Sequence, residues 1–173
     1  MKVCKGIIRL VSFIFFALAL HIIVQFLLPV PLSHIHVILL LAMFMMLRYD
    51  SGRVVWLGFF SYLALDMLSP PQFGVILMSG TLSILFTFWL YKYVVHTRGW
   101  YTGTLLTLIS ILIYHALRMS LNYIFSSVSG TIFFRGVTTE LLQAGIDVSL
   151  TTVAALLLLD ILFKKFVGKN VAA

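Results

Sequence analysis

The stretch "GFFSYLALDMLSPPQFG", residues 58–74, decides how the rest of the chain is read. Most of it is an apolar run suited to a helix, yet the run closes on Asp66, just ahead of Pro70 and Pro71 and eight residues before Gly74. Proline removes a backbone donor and clashes with the preceding turn, so the Pro-Pro pair ends the helix. Gly74 then permits a tight return into the next one. A carboxylate at the end of so apolar a run needs a partner or a task.

Composition identifies the solvent. Of 173 residues, 62% are hydrophobic and only 10% charged, and the mean hydropathy is +1.12. A chain of this kind belongs in a bilayer. A helix needs about 20 mostly apolar residues to cross the hydrocarbon core, which leaves room for roughly six crossings and little else. Six apolar segments can be drawn, at about 7–28, 32–47, 54–68, 75–95, 101–125 and 138–163. Unpaired backbone groups are too costly in lipid for anything but helices or closed barrels, so each segment is expected to be helical. The second and third are short, consistent with less tilt, with extension into the interface, or with packing inside the bundle. No repeat, linker or low-complexity stretch is evident, and the expected fold is all-α: a polytopic membrane helix bundle forming a single integral membrane domain over residues 1–173.

The net charge of +7 is a matter of topology rather than of nucleic-acid binding, because the Lys and Arg residues fall at helix ends instead of on a soluble basic patch. One side receives Lys2, Lys5, Arg9, Arg48, Arg53, Lys92, Arg98, Lys164, Lys165 and Lys169; the other receives Arg135. Cytoplasmic loops are enriched in these residues, so both termini are expected in the cytoplasm, with the connections around 29–33 and 69–74 facing outward. The N-terminus has basic residues before an apolar run and an Ala17-x-Ala19 pair, but the run continues to Leu28, too long for a signal peptide. Trp56, Trp89, Trp100, Tyr91, Tyr93 and Tyr101 lie around the cytoplasmic helix ends, where an aromatic belt belongs. The outer loop 126–137 mixes polar and aromatic residues and suits a short interfacial segment. Gly99 and Gly103 have the small-xxx-small spacing that allows close helix contact. Cys4 is the sole cysteine, which excludes an internal disulfide and a cysteine metal cluster.

Charges within the hydrocarbon region cost about 2.5 to 3.5 kcal/mol each at a helix centre on insertion scales. Asp66, Arg118, Glu140 and Asp147 therefore call for explanation; Asp160 has Lys164 one helical turn away. On the fifth helix His115, Arg118 and Asn122 share a face, and on the sixth Glu140, Gln143, Asp147 and Thr151 do. Asp66 and Arg118 are expected at one depth. The polar stripes predict a buried cluster in which Asp66, Arg118 and Glu140 or Asp147 meet, either as a substrate or proton site or, more simply, as a clasp that fixes helix packing.

Other chemistry has little support in the sequence. His21 and His115 stand singly on different helices, and His34 and His36 flank an outer turn at a spacing poor for shared ligation, so no metal and no cofactor is expected. Met43, Met45 and Met46 read as packing or lipid-facing residues. There is no G-x-S-x-G, no H-E-x-x-H and no phosphate-cradling glycine loop. An intramembrane enzyme would need two catalytic groups at a shared depth; Asp66 with Asp147 is imaginable, but no protease pattern surrounds either.

Residues 58–74 resemble the pattern of the MreD family, the rod-shape-determining membrane proteins of the bacterial elongation machinery. Gly58, Phe59, Leu63, Asp66 and Gly74 match it, with Pro70 and Pro71 in the turn; Tyr62 departs from it, standing where the family commonly has glycine. The resemblance implies a non-enzymatic scaffold in the bacterial inner membrane. Its implied partner is MreC, with MreB, RodZ, RodA and a penicillin-binding transpeptidase in the wider complex supporting cell shape and lateral peptidoglycan synthesis. The family is in turn similar to the six-helix substrate-binding subunits of energy-coupling-factor vitamin transporters, which supplies an alternative. In such a subunit the polar cluster would line a ligand pocket, and the first helix would dock through small residues at A-x-x-x-A spacing. Here Ala17 and Ala19 are only two apart.

Overall fold

Apolar helix formers make six helices among the described residues. The computed structural model describes residues 2–27, 29, 35–49, 52–68, 73–95, 100–129 and 137–166. They form α1 (Lys2–Leu27), α2 (Val37–Tyr49), α3 (Arg53–Leu68), α4 (Val75–Tyr93), α5 (Trp100–Ser129) and α6 (Val137–Phe166), with no strand among the described residues. Three stretches are long and apolar enough to cross a membrane: Val75–Tyr93, Tyr101–Phe125 and Leu141–Leu158. The apolar parts of α1 and α2, Val11–Leu27 and Val37–Arg48, are shorter. Pro70, Pro71 and the loop 130–136 lie outside the described residues, as do Gly99 and His34.

The short α2 is the hub of the bundle, in contact with α1, α3, α4, α5 and α6. Its thirteen residues are apolar but for Arg48 and Tyr49 at its end, and Ile38, Leu39, Ala42, Met43 and Met46 are essentially inaccessible. Of the alternatives left open for this segment, packing inside the bundle is the one adopted. Met45 is only partly buried, at the edge of the same core. The helix starts at Val37, later than expected, because the preceding residues are tied elsewhere: the His36 amide donates to Thr151 Oγ1 on α6 at 3.2 Å.

One close approach sets the spacing of α3, α4 and α5. The ring of Tyr62 lies on Gly80, so closely that a Cβ at residue 80 would overlap three of its ring atoms. The Tyr62 ring also stacks on Tyr114 of α5, with centroids 5.9 Å apart and planes inclined by 23°. The small residue that permits this contact, Gly80, sits on α4. Below this layer the Ser83 hydroxyl reaches α5, 2.7 Å from the Ser110 carbonyl and 2.8 Å from its hydroxyl. Thr87 and Thr107 bond the carbonyls of Ser83 and Gly103 one turn back, which satisfies their hydroxyls within their own helices.

Large apolar side chains also face outward, among them Phe15, Phe26, Phe86, Leu112, Leu142 and Leu157. Trp56, Trp89, Tyr93 and Tyr101 are exposed as a belt requires, but Tyr91 is 5% exposed and belongs to the core. The reason is angular: Tyr91 follows Thr87 by one turn, on the face α4 turns inward. The Trp100 side chain is outside the described residues.

Gly80→Ala should destabilise the bundle by about 1–3 kcal/mol, the usual cost of overpacking. Combined with Tyr62→Ala, the loss should fall well short of the sum of the single losses, because the glycine and the ring share one contact. Thermal unfolding of the single and double variants in detergent measures the coupling; strict additivity would mean that the ring does not limit helix approach.

Candidate functional site

Asp66 ends α3 with its side chain turned inward and 2% exposed. Its carboxylate reaches across the turn to the start of α4. Oδ2 accepts the Gly74 amide at 2.5 Å, and Oδ1 accepts the Ile76 amide at 3.1 Å. The first amides of a helix have no intrahelical acceptor, and Gly74, which occupies the N-cap position, has no side chain to offer. Asp66 supplies from α3 what a local cap would have supplied, and its charge meets the positive end of the α4 dipole. Gly74 has φ of 101°, a left-handed conformation that a β-carbon disfavours.

The expected contact between Asp66 and Arg118 is not formed among the described residues. The physical reason is competition: two backbone donors already satisfy the buried carboxylate, and unpaired amides at that point would be costly. Arg118 is half-buried and lines a cavity. The side chain of Glu140 lies outside the described residues.

The second polar centre joins three helix segments. Asp147 Oδ2 on α6 lies 3.4 Å from His36 Nε2, at the entry to α2, and 3.4 Å from His115 Nε2 on α5. His115 and Asp147 are each 8% exposed. The His36 and His115 rings meet edge to face at 5.6 Å, and Tyr114 closes on both, at 5.1 Å from His36 and 5.3 Å from His115. Thr151, one turn beyond Asp147, holds the His36 backbone. The two polar stripes therefore do converge, through His115, Asp147 and Thr151. Asn122 is half-buried farther along α5.

Beside this centre is a cavity of about 680 Å³ at the end of the bundle where α3 gives way to α4. His21, His36, Tyr114, Arg118, Gln143 and Asp147 give it polar walls; Tyr62, Leu65, Ile76 and residues of α1 make the rest apolar. Asp66 is not among its lining residues. Such a mixture of apolar wall and a few convergent polar groups suits a small molecule or ion. His21 is 4% exposed, and its Nδ1 has no hydrogen-bond partner among the described residues.

Of the expected site, His115, Asp147 and Thr151 come together; Arg118 and Gln143 line the same cavity; Asp66 serves the neighbouring turn. His36 was missed. Its spacing from His34 carried no signal, since its partners are on α5 and α6, more than seventy residues away. Gly58 is buried against Ile84, while Phe59 and Leu63 are partly buried on the same helix. Comparison with known protein families, with curated proteins and with solved structures finds no match.

Asp66→Ala leaves two amides without their acceptor and should lower stability by about 1–3 kcal/mol. Asp66→Asn, which keeps one accepting oxygen, should lie between wild type and alanine. Unfolding midpoints of the purified variants rank the three; an alanine variant as stable as wild type would show that water or another group caps α4 equally well.

Proposed function

We propose that this chain is a non-enzymatic membrane scaffold of the MreD kind, which binds MreC in the cell-elongation complex. In this reading all six helices cross the bacterial inner membrane, with both termini in the cytoplasm. MreB, RodZ, RodA and a penicillin-binding transpeptidase complete the assembly that directs lateral peptidoglycan synthesis. The observation that carries the reading is the Asp66–Gly74 clasp. The residues that give the resemblance have architectural work to do: Asp66 caps α4, and Gly74 adopts the left-handed turn that the return requires. Further support comes from the apolar side chains on the outside, which suit lipid and neighbouring membrane helices.

A second reading, a substrate-binding membrane subunit of an energy-coupling-factor vitamin transporter, is favoured by the polar-walled cavity. Against it, Ala17 is buried and Ala19 exposed, so the two small residues of α1 do not share a docking face.

The two readings part on their partners. Expressed at native level in a rod-shaped bacterium, gently solubilised and captured by a tag, the wild-type chain should copurify with MreC and the wall-elongation proteins. Asp66→Ala should lose them. Recovery of paired ATPases and a coupling protein would establish the transporter reading; recovery of neither set would reject both.

A further inference from the structure

We propose that His36, His115 and Asp147 form a binding site for a divalent transition cation of the zinc class, with an open coordination position facing the cavity. The ligand atoms, one from each residue, lie within 4.8 Å of one another and come from the entry to α2, from α5 and from α6. Zinc takes nitrogen and oxygen ligands at about 2.0–2.2 Å, which in tetrahedral geometry places neighbouring donors about 3.3–3.6 Å apart. The carboxylate oxygen is 3.4 Å from each imidazole nitrogen. That is the edge of such a tetrahedron, and it is long for a charge-assisted hydrogen bond, whose usual length is about 2.7–2.9 Å.

The second observation is His115 Nε2 itself. It is buried, and despite its distance from Asp147 it makes no hydrogen bond among the described residues. A buried nitrogen without a partner costs stability in an apolar medium. A cation held jointly with His36 and Asp147 removes that cost, and the donor set suits zinc: two neutral imidazoles and one carboxylate.

The surroundings are those of a supported site. The His36 backbone is anchored on Thr151, and the Tyr114 ring packs on both imidazoles, so their orientation is fixed before a cation arrives. Three protein ligands leave a fourth position, and two of the three, His36 and Asp147, line the cavity that Arg118 and Gln143 also line. Water or an anionic oxygen donor fills it. Two histidines and one carboxylate leave a divalent cation with a net positive charge, and Arg118 adds another, so an anionic fourth ligand is favoured there. The inference does not depend on the scaffold reading; a scaffold and a transporter subunit can each carry such a site.

The test uses the full chain on a tag without histidines, purified in detergent, equilibrated with Zn²⁺ and freed of unbound metal by gel filtration. Elemental analysis should find zinc retained in proportion to protein. His115→Ala and Asp147→Asn should each weaken binding by at least about 10- to 100-fold, the loss caused by removing even a supporting partner. His21→Ala, in the same cavity but outside the ligand set, should bind as wild type does. Should a ligand variant fail to stay monodisperse, Co²⁺ in the wild-type protein decides instead: visible bands of a low-symmetry, four-coordinate ion support the site. Wild-type protein that retains no zinc above a buffer blank, or ligand variants that bind as wild type does, would overturn it. These readouts are independent of which proteins copurify.

Discussion

The amides that open a helix have no acceptor within it, and at the α3–α4 turn a buried carboxylate supplies one. Asp66 gives both its oxygens to the start of α4. The cost of burying the carboxylate is offset by two charge-assisted hydrogen bonds and by the field of the helix it caps. Much follows from that attachment. It fixes where α4 begins, hence where Gly80 lies against Tyr62, and hence how Tyr62 meets Tyr114 on α5. Tyr114 then forms a wall of the cavity and packs on both histidines of the polar centre.

Around this frame the bundle divides along its length. At one end, Met43, Met46, Leu57, Ile84 and Leu106 are packed without a charge among them. Lipid is as apolar as these side chains, so their association draws on close packing rather than on expulsion of water. Glycine and serine, in the Gly58–Ile84 and Ser83–Ser110 contacts, make that closeness attainable. At the other end His36, His115, Asp147 and Thr151 gather where α2 begins and α6 passes. The short α2 serves both, with an aliphatic body in the core and a histidine at its entry.

The helices were legible in the sequence because apolar runs bounded by Pro, Gly and charged residues leave a lipid-embedded backbone few alternatives. The polar stripes of α5 and α6 were legible for the same reason: charge in hydrocarbon is expensive, so residues such as Asp147 must turn inward. What could not be read was which inward-facing groups would meet. Matching depth suggested Asp66 with Arg118, but depth says nothing of azimuth, and nearby amides compete for a carboxylate at a helix end. His36 stayed hidden because its position relative to α5 and α6 is a product of tertiary packing. The placement of Gly80 beneath Tyr62 was hidden likewise, since it depends on how α3 and α4 pack.

The clasp and the polar centre are separate in chemistry yet adjacent in structure, and Ile76 is where they touch. Its amide is bonded to Asp66, and its side chain lines the cavity. Tyr62 is similarly placed, with its ring on Gly80 and a part in the cavity wall. An occupant of the cavity would lie against Ile76 and Tyr62, next to the α3–α4 turn. Packed interfaces pass displacements on because they have little empty space in which to absorb them. An architectural motif and a binding site that share residues in this way need not be rival accounts of the chain. The carboxylate that builds the turn holds the backbone of Ile76, whose side chain lines the cavity beside His36 and Asp147.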